Sequence, residues 1–280
     1  VPDPALLPVS QTIRTGFSAI GGENIKTAFR TAHGSSFDFV EVQMDHWDRE
    51  WLQLNGDQLQ NMASDAAVDV LVHLPYGAEH ESIAASDPAV RARSMEWFQS
   101  CIETAASVGA NKGVLHVETD EGSPHLANDG RLDELADTLR ELDRFADDQE
   151  FTICIENLPG RYPHLDDLKT LARTTDLRFT VDTGHAKVNG YSDGEVARFV
   201  AGHGDQISHF HLNDTRKPAD EHLPFGAGNI DFGQILGKLP SSWTGTLTTE
   251  IKTSDYDYIA FSGEKLADTL VRCCETAVKK

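Results

Sequence analysis

The chain has 280 residues, 39% of them hydrophobic and 25% charged, the balance of an ordinary globular protein with a large core. Its 45 acidic residues against 24 basic ones give a net charge of −21, a field that repels nucleic acid and anionic membranes. No apolar run approaches the about 18 residues of a membrane span; the opening "VPDPALLPVS" lacks the basic and apolar regions of a signal peptide, and the four cysteines form no disulfide framework or metal spacing, so a cytoplasmic location is expected.

In chain order, residues 1–10 read as an irregular N-terminal extension. Short β-rich runs then recur at 12–19, 37–44, 69–75, 113–119, 151–158, 178–183, 207–213 and 245–251, separated by longer polar or amphipathic stretches. Among these, 88–108 is a helix opened by Asp87 and Pro88, and 131–148 is one opened near Asp129 and closed before Phe151. Strands followed by helices eight times over imply parallel pairing with right-handed crossovers, and that number of units in about 250 residues is the size of a (β/α)8 TIM barrel. No linker or composition break divides the chain, so 11–280 is read as one domain. An open doubly wound sheet would need a glycine-rich loop after an early strand. "GAGNID" at 226–231 follows no strand and is read as a tight turn.

Polar residues interrupt these strands near their C-terminal ends: His73 in "LVHLPYG", His116 in "VLHVE", Glu156 in "CIENL", Asp182 with His185 in "VDTGH", His211 in "FHLND" and Glu250 in "TTEIK". In a barrel of this kind they converge on one mouth, where active sites of the fold sit. A lone strand histidine is more often a hydrogen-bonded core residue than a ligand, but Glu156 and Glu250 within apolar strands need partners. Burying such carboxylates and imidazoles together costs several kcal/mol per unpaired ion, which a divalent cation offsets. A carboxylate and imidazole set without thiolate suits Mn, Zn, Mg or Co.

The pieces "IEN", "VDTGHAKVNGY", "HLND" and "DEHLPFGAGNIDF", followed by a strand-end Glu, resemble the xylose isomerase-like TIM barrels. This family includes sugar and sugar-phosphate isomerases, ketose 3-epimerases, inosose dehydratases and endonuclease IV. The resemblance implies a metal held by Glu156, Asp182, His211 and Glu250, with His185 on substrate in the epimerases or on a further metal in the nuclease. It also places His73, His116, Asp220 and His222 where the nuclease branch has additional ligands. Arg216 or Lys217, after "HLNDT", is a candidate contact for a substrate anion, against the plainer reading of an exposed loop charge. Trp47, Trp51 and Tyr76 are candidates to line a sugar-sized pocket. His209 faces as His211 does, one layer deeper, and is read as packing beneath the site; His33, His46, His80, His125, His164 and His203 are read as solvated.

Three functions follow from the resemblance. The favoured one is a metal-dependent isomerase or epimerase acting on a sugar, sugar phosphate or related hydroxy-carbonyl compound through an enediolate, with Glu156 and Glu250 as acid and base. The first alternative is an endonuclease IV-like enzyme on abasic DNA with a trinuclear zinc site, and the second a barrel that binds metal without catalysis. Against DNA stand only ten lysines, no basic stripe and a second strand ending in "EVQMDHWDREW". The expected partner is therefore a sugar-like small molecule, with no membrane partner and with homo-oligomer formation left open.

Of the acidic residues 27 are Asp, scattered over helices such as "DGRLDELADTLRELDRFADDQE" rather than gathered in a tail. Such a surface suits a halophilic setting, where the Debye length falls to about 3 Å at 1 M salt and self-repulsion is screened. Thermal unfolding should accordingly occur at a higher temperature in molar KCl than in dilute buffer. Equal midpoints in the two would remove the case for salt adaptation.

Overall fold

A computed structural model describes residues 13–19, 25–35, 37–44, 49–76, 82–117, 131–160, 162–216 and 219–278. The expected extension at 1–10, Trp47, Lys217, His46, His80 and His125 lie outside the described residues, as does the side chain of Trp51. Eight strands close a parallel barrel in sequence order: β1 (Arg14–Ala19), β2 (Phe39–Gln43), β3 (Asp69–His73), β4 (Lys112–Leu115), β5 (Thr152–Glu156), β6 (Arg178–Asp182), β7 (Ile207–Leu212) and β8 (Thr246–Thr249), with β8 pairing back onto β1. Around it run α1 (Ile25–Gly34), α2 (Arg49–Ala66), α3 (Pro88–Ser107), α4 (Arg131–Asp148), α5 (Leu165–Thr174), α6 (Thr183–Val188), α7 (Asp193–His203), α8 (Phe232–Leu236) and α9 (Tyr256–Val278). No helix among the described residues is long and apolar enough to cross a membrane.

All eight expected strands are present, and each is slightly shorter than its run in the sequence. The difference has a physical reason. The residues just beyond the last paired positions, such as His116 and Glu250, are still buried or half-buried, so their pattern continues the strand although the ladder has stopped. α3 begins as its sequence says: Asp87 caps it by accepting from Ala89 N at 2.8 Å, and Pro88 occupies the first turn, where no backbone N–H is needed.

Alternation along the strands sorts the core into two compartments. One set of positions faces the helices and is apolar: Phe17, Val40, Val42, Val70, Val72, Ile153, Ile155, Phe179, Val181, Phe210, Leu212 and Leu247 are all buried in one continuous cluster. The other set fills the barrel and is largely polar. There Glu41, His209, Thr180 and Thr248 are fully buried beneath the strand ends, in a space that barrels of this kind usually fill with branched aliphatic side chains. Gly16 belongs to this inner set, and any side chain on it would collide with the Phe39 ring, which occupies the space instead.

The loop after β7 is tied to the barrel by one carboxylate. Asp214 accepts from Gly226 N and Gly228 N at 2.9 Å on Oδ2, and from Ile230 N and Thr215 N at 3.0 Å on Oδ1. Its backbone forms an antiparallel bridge with Leu223. The "GAGNID" segment is thus the turn it was expected to be, with Gly226 at φ +86°, but it turns around Asp214, and Gly228 must lack a side chain because a Cβ would strike that carboxylate. Asp214→Ala leaves four backbone donors without their acceptor, and unmet buried donors cost about 1–3 kcal/mol each. The substitution should lower unfolding free energy in urea by about 3 kcal/mol or more; a loss under about 1 kcal/mol would mean that water replaces the carboxylate.

Candidate metal centre and active site

Glu156, at the end of β5, sits at the centre of the barrel mouth and is fully buried. Its Oε2 receives His116 Nε2 at 2.7 Å and lies 3.5 Å from His73 Nε2, while its Oε1 receives His211 Nδ1 at 2.8 Å. His73 and His116 bring their Nε2 atoms within 3.2 Å of each other. Around the mouth, β6 ends in Asp182, and Glu250 follows β8. Ligand atoms of Glu156, Asp182, His211 and Glu250 all lie within 4.8 Å of one another, and so do those of His73, Glu156 and His211, and those of His185, Asp220 and His222. The structure therefore assembles every strand-end residue singled out from the sequence into one continuous polar surface, together with the Asp220 and His222 pair from the loop after β7.

Asp182 does two structural jobs besides facing this cluster. It is the N-cap of α6, accepting from His185 N at 2.6 Å, and its other oxygen accepts from Asn213 Nδ2 at 2.9 Å. Asn157, one residue beyond β5, clamps the Asp182 backbone with two hydrogen bonds, of 2.9 Å from the Asp182 N–H and 3.0 Å to its carbonyl. Gly184 lies in the first turn of α6, and it must be glycine because a Cβ there would collide with the Asn213 amide. The helix turns His185 back so that its Nδ1 meets the Asn157 carbonyl at 2.9 Å and its Nε2 lies 3.7 Å from Asp220.

His222 completes the outer group. It holds a left-handed backbone at φ +46°, uncommon for a residue with a side chain, and its ring bridges Asp220 Oδ2 at 3.0 Å and the Glu250 carbonyl at 3.1 Å. Two carboxylate atoms stand out among these bonds. No hydrogen bond reaches the buried Oε2 of Glu250 or the buried Oδ1 of Asp220 among the described residues. Both belong to groups whose donor sets, oxygen and imidazole without thiolate, suit a divalent cation, so the residues present fit such an ion.

Electrostatics follow from the same packing. Burial alone raises the Glu156 carboxyl, but His211 and His116 overcome it and hold it well below the usual range. Burial lowers the His211 imidazole, against which Glu156, Glu41 and Glu250 hold it well above its usual value. At His185 burial is likewise outweighed, by Asp182 and Asp220, and the imidazole is pushed up to about 10. Asp182 goes the other way: burial lifts it to about 6, opposed by His185 and assisted by Glu156 and Glu250.

Glu41, Gln43, Asn157 and Asn213 were missed in the sequence. Glu41 carried the signal used for Glu156, a carboxylate inside an apolar strand, and is fully buried against His209 and His211. Gln43 donates to Ser18 at 3.0 Å and to Glu250 Oε1 at 3.4 Å. The structure does not bring Arg216 to the site. Its guanidinium pairs with Glu221 at 2.7 Å and its side chain is 62% exposed, so the plainer reading of a loop charge describes it. Tyr76 does stand at the mouth, its ring 4.6 Å from that of His116 and 5.0 Å from that of His73. His33 is exposed, as expected, whereas His164 and His203 are half-buried, the latter packed on the Phe199 ring.

A family model described as a xylose isomerase-like TIM barrel matches residues 29–276. An uncharacterized protein of Methanocaldococcus jannaschii is 27% identical over 220 residues, covering 72% of this chain and 73% of its own length. The L-ribulose-5-phosphate 3-epimerase UlaE of Salmonella paratyphi A is 25% identical over 230 residues, 79% of each chain. Among solved structures, a D-tagatose 3-epimerase-like protein superposes with a TM-score of 0.78 at 26% identity, covering 94% of this chain and 99% of its own. A Thermus thermophilus protein soaked with ZnCl2 shares the fold at a TM-score of 0.67 and 23% identity, over 90% of this chain and 97% of its own.

Without metal, the site's ionisations give stability a definite pH profile. Glu41, Glu156, Glu250 and Asp220 are held below their usual values, so their contribution is present above about pH 4.5 and is lost as pH falls through the folded values. His185, His211 and His222 are held above theirs, so their contribution is present below about pH 6.5 and is lost as pH rises, for His185 toward about 10. Asp182, raised to about 6, adds a further loss between its ordinary value and that pH. His209, lowered to about 4 by burial, acts in the opposite sense, and its share of stability is lost as pH falls below about 6.5. Urea unfolding in the presence of a chelator should therefore show greatest stability between about pH 5 and 6.5, with a decline toward pH 10. Stability that rises from pH 6 to pH 9 would contradict this charge arrangement.

Proposed function

The chain belongs to the xylose isomerase-like TIM barrel family, and on that premise we propose that it is a divalent-metal-dependent epimerase or isomerase of a sugar, sugar phosphate or related hydroxy-carbonyl compound. The observation that carries the reading is the convergence of Glu156, Asp182, His211 and Glu250 within 4.8 Å at the C-terminal mouth, in a chain similar to sugar 3-epimerases. Those four residues would hold the cation. Mn, Zn, Mg or Co bound there supplies Lewis acidity to adjacent substrate oxygens.

The protein's own groups supply the proton transfers. Glu156 and Glu250 reach the site from β5 and β8, with β6 and β7 between them around the barrel. One of the two would remove, as carboxylate, the proton from the carbon beside the carbonyl, leaving an enediolate, and the other, entering the step as the carboxylic acid, would deliver its proton to the opposite face, which inverts that carbon. Return of the proton to the neighbouring carbon by a single carboxylate, with the hydroxyl proton passing from one enediolate oxygen to the other, gives isomerisation instead. His185, with Nδ1 fixed by the Asn157 carbonyl, turns Nε2 toward Asp220 and the outer group, where it would hold a substrate oxygen. Tyr76 would close one side of the pocket. Arg216, paired with Glu221, has no part in this proposal.

A specific observation favours a second reading. The group of His185, Asp220 and His222, and the approach of His73 and His116 to Glu156, provide donors for further cations beside the first. A site with three metals suits activation of water for phosphodiester cleavage on abasic DNA. The net charge of −21 weighs against a DNA substrate.

Incubation in deuterated water with ketohexoses and L-ribulose 5-phosphate tests the first reading. Deuterium should enter at the carbon beside the carbonyl, chelator should abolish the exchange, and Mn or Co should restore it. Glu156→Gln and Glu250→Gln should each lower turnover by about 100-fold or more, the size of a lost general acid or base. Three equivalents of tightly bound zinc with cleavage of abasic DNA and no exchange would establish the second reading instead.

A further inference from the structure

We propose that Glu41 is a positioning residue for the metal centre, holding the His211 ring from inside the barrel so that Nδ1 is presented to the cation site. The inference rests on the reading of His211 as a metal ligand, and concerns a side chain that stands one layer below that site. Glu41 is fully buried in β2 and faces the barrel interior. Its Oε1 accepts from His211 Nε2 at 3.0 Å. Nε2 faces Glu41, away from the other candidate ligands, so it keeps its hydrogen for that carboxylate, whereas Nδ1, which donates to Glu156 when no metal is bound, is the nitrogen that would give up its proton to a cation. That nitrogen, Nδ1, is 2.8 Å from Glu156 Oε1 and 3.3 Å from Glu250 Oε2, at the point where the candidate ligands converge.

The carboxylate is itself fixed. Its Oε2 accepts from His209 Nε2 at 3.0 Å and from Thr248 Oγ1 at 2.7 Å. His209 is braced in turn, with Nδ1 2.6 Å from Thr246 Oγ1, and Lys112 Nζ donates to that same hydroxyl at 3.0 Å. Donors from β7 and β8 thus hold a carboxylate of β2 across the barrel, and nothing about packing alone would require them. A carboxylate behind a metal-bound imidazole sets its tautomer, fixes the ring plane and raises its basicity, and losing such a partner typically weakens metal binding about 10- to 100-fold.

The test is zinc affinity of the metal-stripped full chain, measured by competition with a chromophoric chelator for the unaltered protein, Glu41→Gln, His211→Ala and Glu156→Gln, with absorption spectra of the Co-loaded forms. Glu41→Gln preserves shape but removes the charge, and faces one of the donors with an amide NH2. The proposal expects His211→Ala and Glu156→Gln to lose tight binding, and Glu41→Gln to weaken it about 10- to 100-fold with displaced Co absorption bands while the circular dichroism of a folded barrel is kept. If Glu41→Gln binds within twofold and leaves the Co spectrum unchanged while the other two variants lose metal, the proposal is overturned and the metal site stands. If His211→Ala and Glu156→Gln bind as the unaltered protein does, the metal reading falls and this proposal with it. Should Glu41→Gln fail to fold, Thr248→Val decides, since it leaves the carboxylate in place and removes one of its donors. A rise in the dissociation constant of about threefold or more, one weak hydrogen bond, supports the role, and an unchanged constant overturns it.

Discussion

The Glu156 carboxylate, with no solvent exposure, imposes the arrangement of everything around it. An ion taken that far out of water costs several kcal/mol unless donors surround it, and the surrounding donors are imidazoles from β7 and from the ends of β3 and β4. Each imidazole has a second nitrogen that needs its own partner. His73 finds the Leu74 carbonyl at 2.8 Å, and His211 finds Glu41. The demand therefore passes downward through Glu41 to His209, Thr246 and Lys112, and one buried charge at the mouth organises polar contacts through the depth of the barrel.

This polar interior moves the hydrophobic stabilisation outward. The inner positions contribute Glu41, Thr180, His209 and Thr248, so the apolar burial that holds the fold lies between the strands' outer faces and the helices. A barrel so built has a rigid inner framework of short hydrogen bonds and an outer shell that carries the packing. The framework is well suited to hold ligand atoms in place, because shifting one side chain would leave several buried partners unmet.

The strands were legible because alternation of apolar and polar residues is a local property, and the strand-end histidines and carboxylates were legible because they break that alternation. Glu156 and Glu250 were recognised by that rule. Glu41 obeys it equally, but in "FDFVEVQM" it lies mid-strand, and only the closure of β1 onto β8 places β2 within reach of His209 and His211. Asn157 and Asn213 act through backbone contacts and an amide, which no residue-type pattern reveals. The role of Asp214 escaped notice for a related reason: its partners Gly226, Gly228 and Ile230 are recognisable as a turn, but what the turn encloses depends on tertiary contact. Arg216 shows the converse, since a nearby Glu221 in the same loop takes up the charge that the sequence left free for a substrate.

One cation or several is a question of what the outer group does, and its geometry bears on that. Glu156, Asp182, His211 and Glu250 form a compact set needed under either reading, whereas His185, Asp220 and His222 already satisfy much of their charge among themselves. Yet Asp220 keeps one buried oxygen outside that hydrogen bonding, and His222 keeps a left-handed backbone that ordinary loops avoid. Local strain of this kind persists where surrounding contacts hold it, here the Glu250 carbonyl and the Asp220 carboxylate. A sugar oxygen needs only one well-placed imidazole. A strained histidine, a second histidine and a carboxylate meet at one point beside the compact set, so the two readings differ in what this outer group would hold.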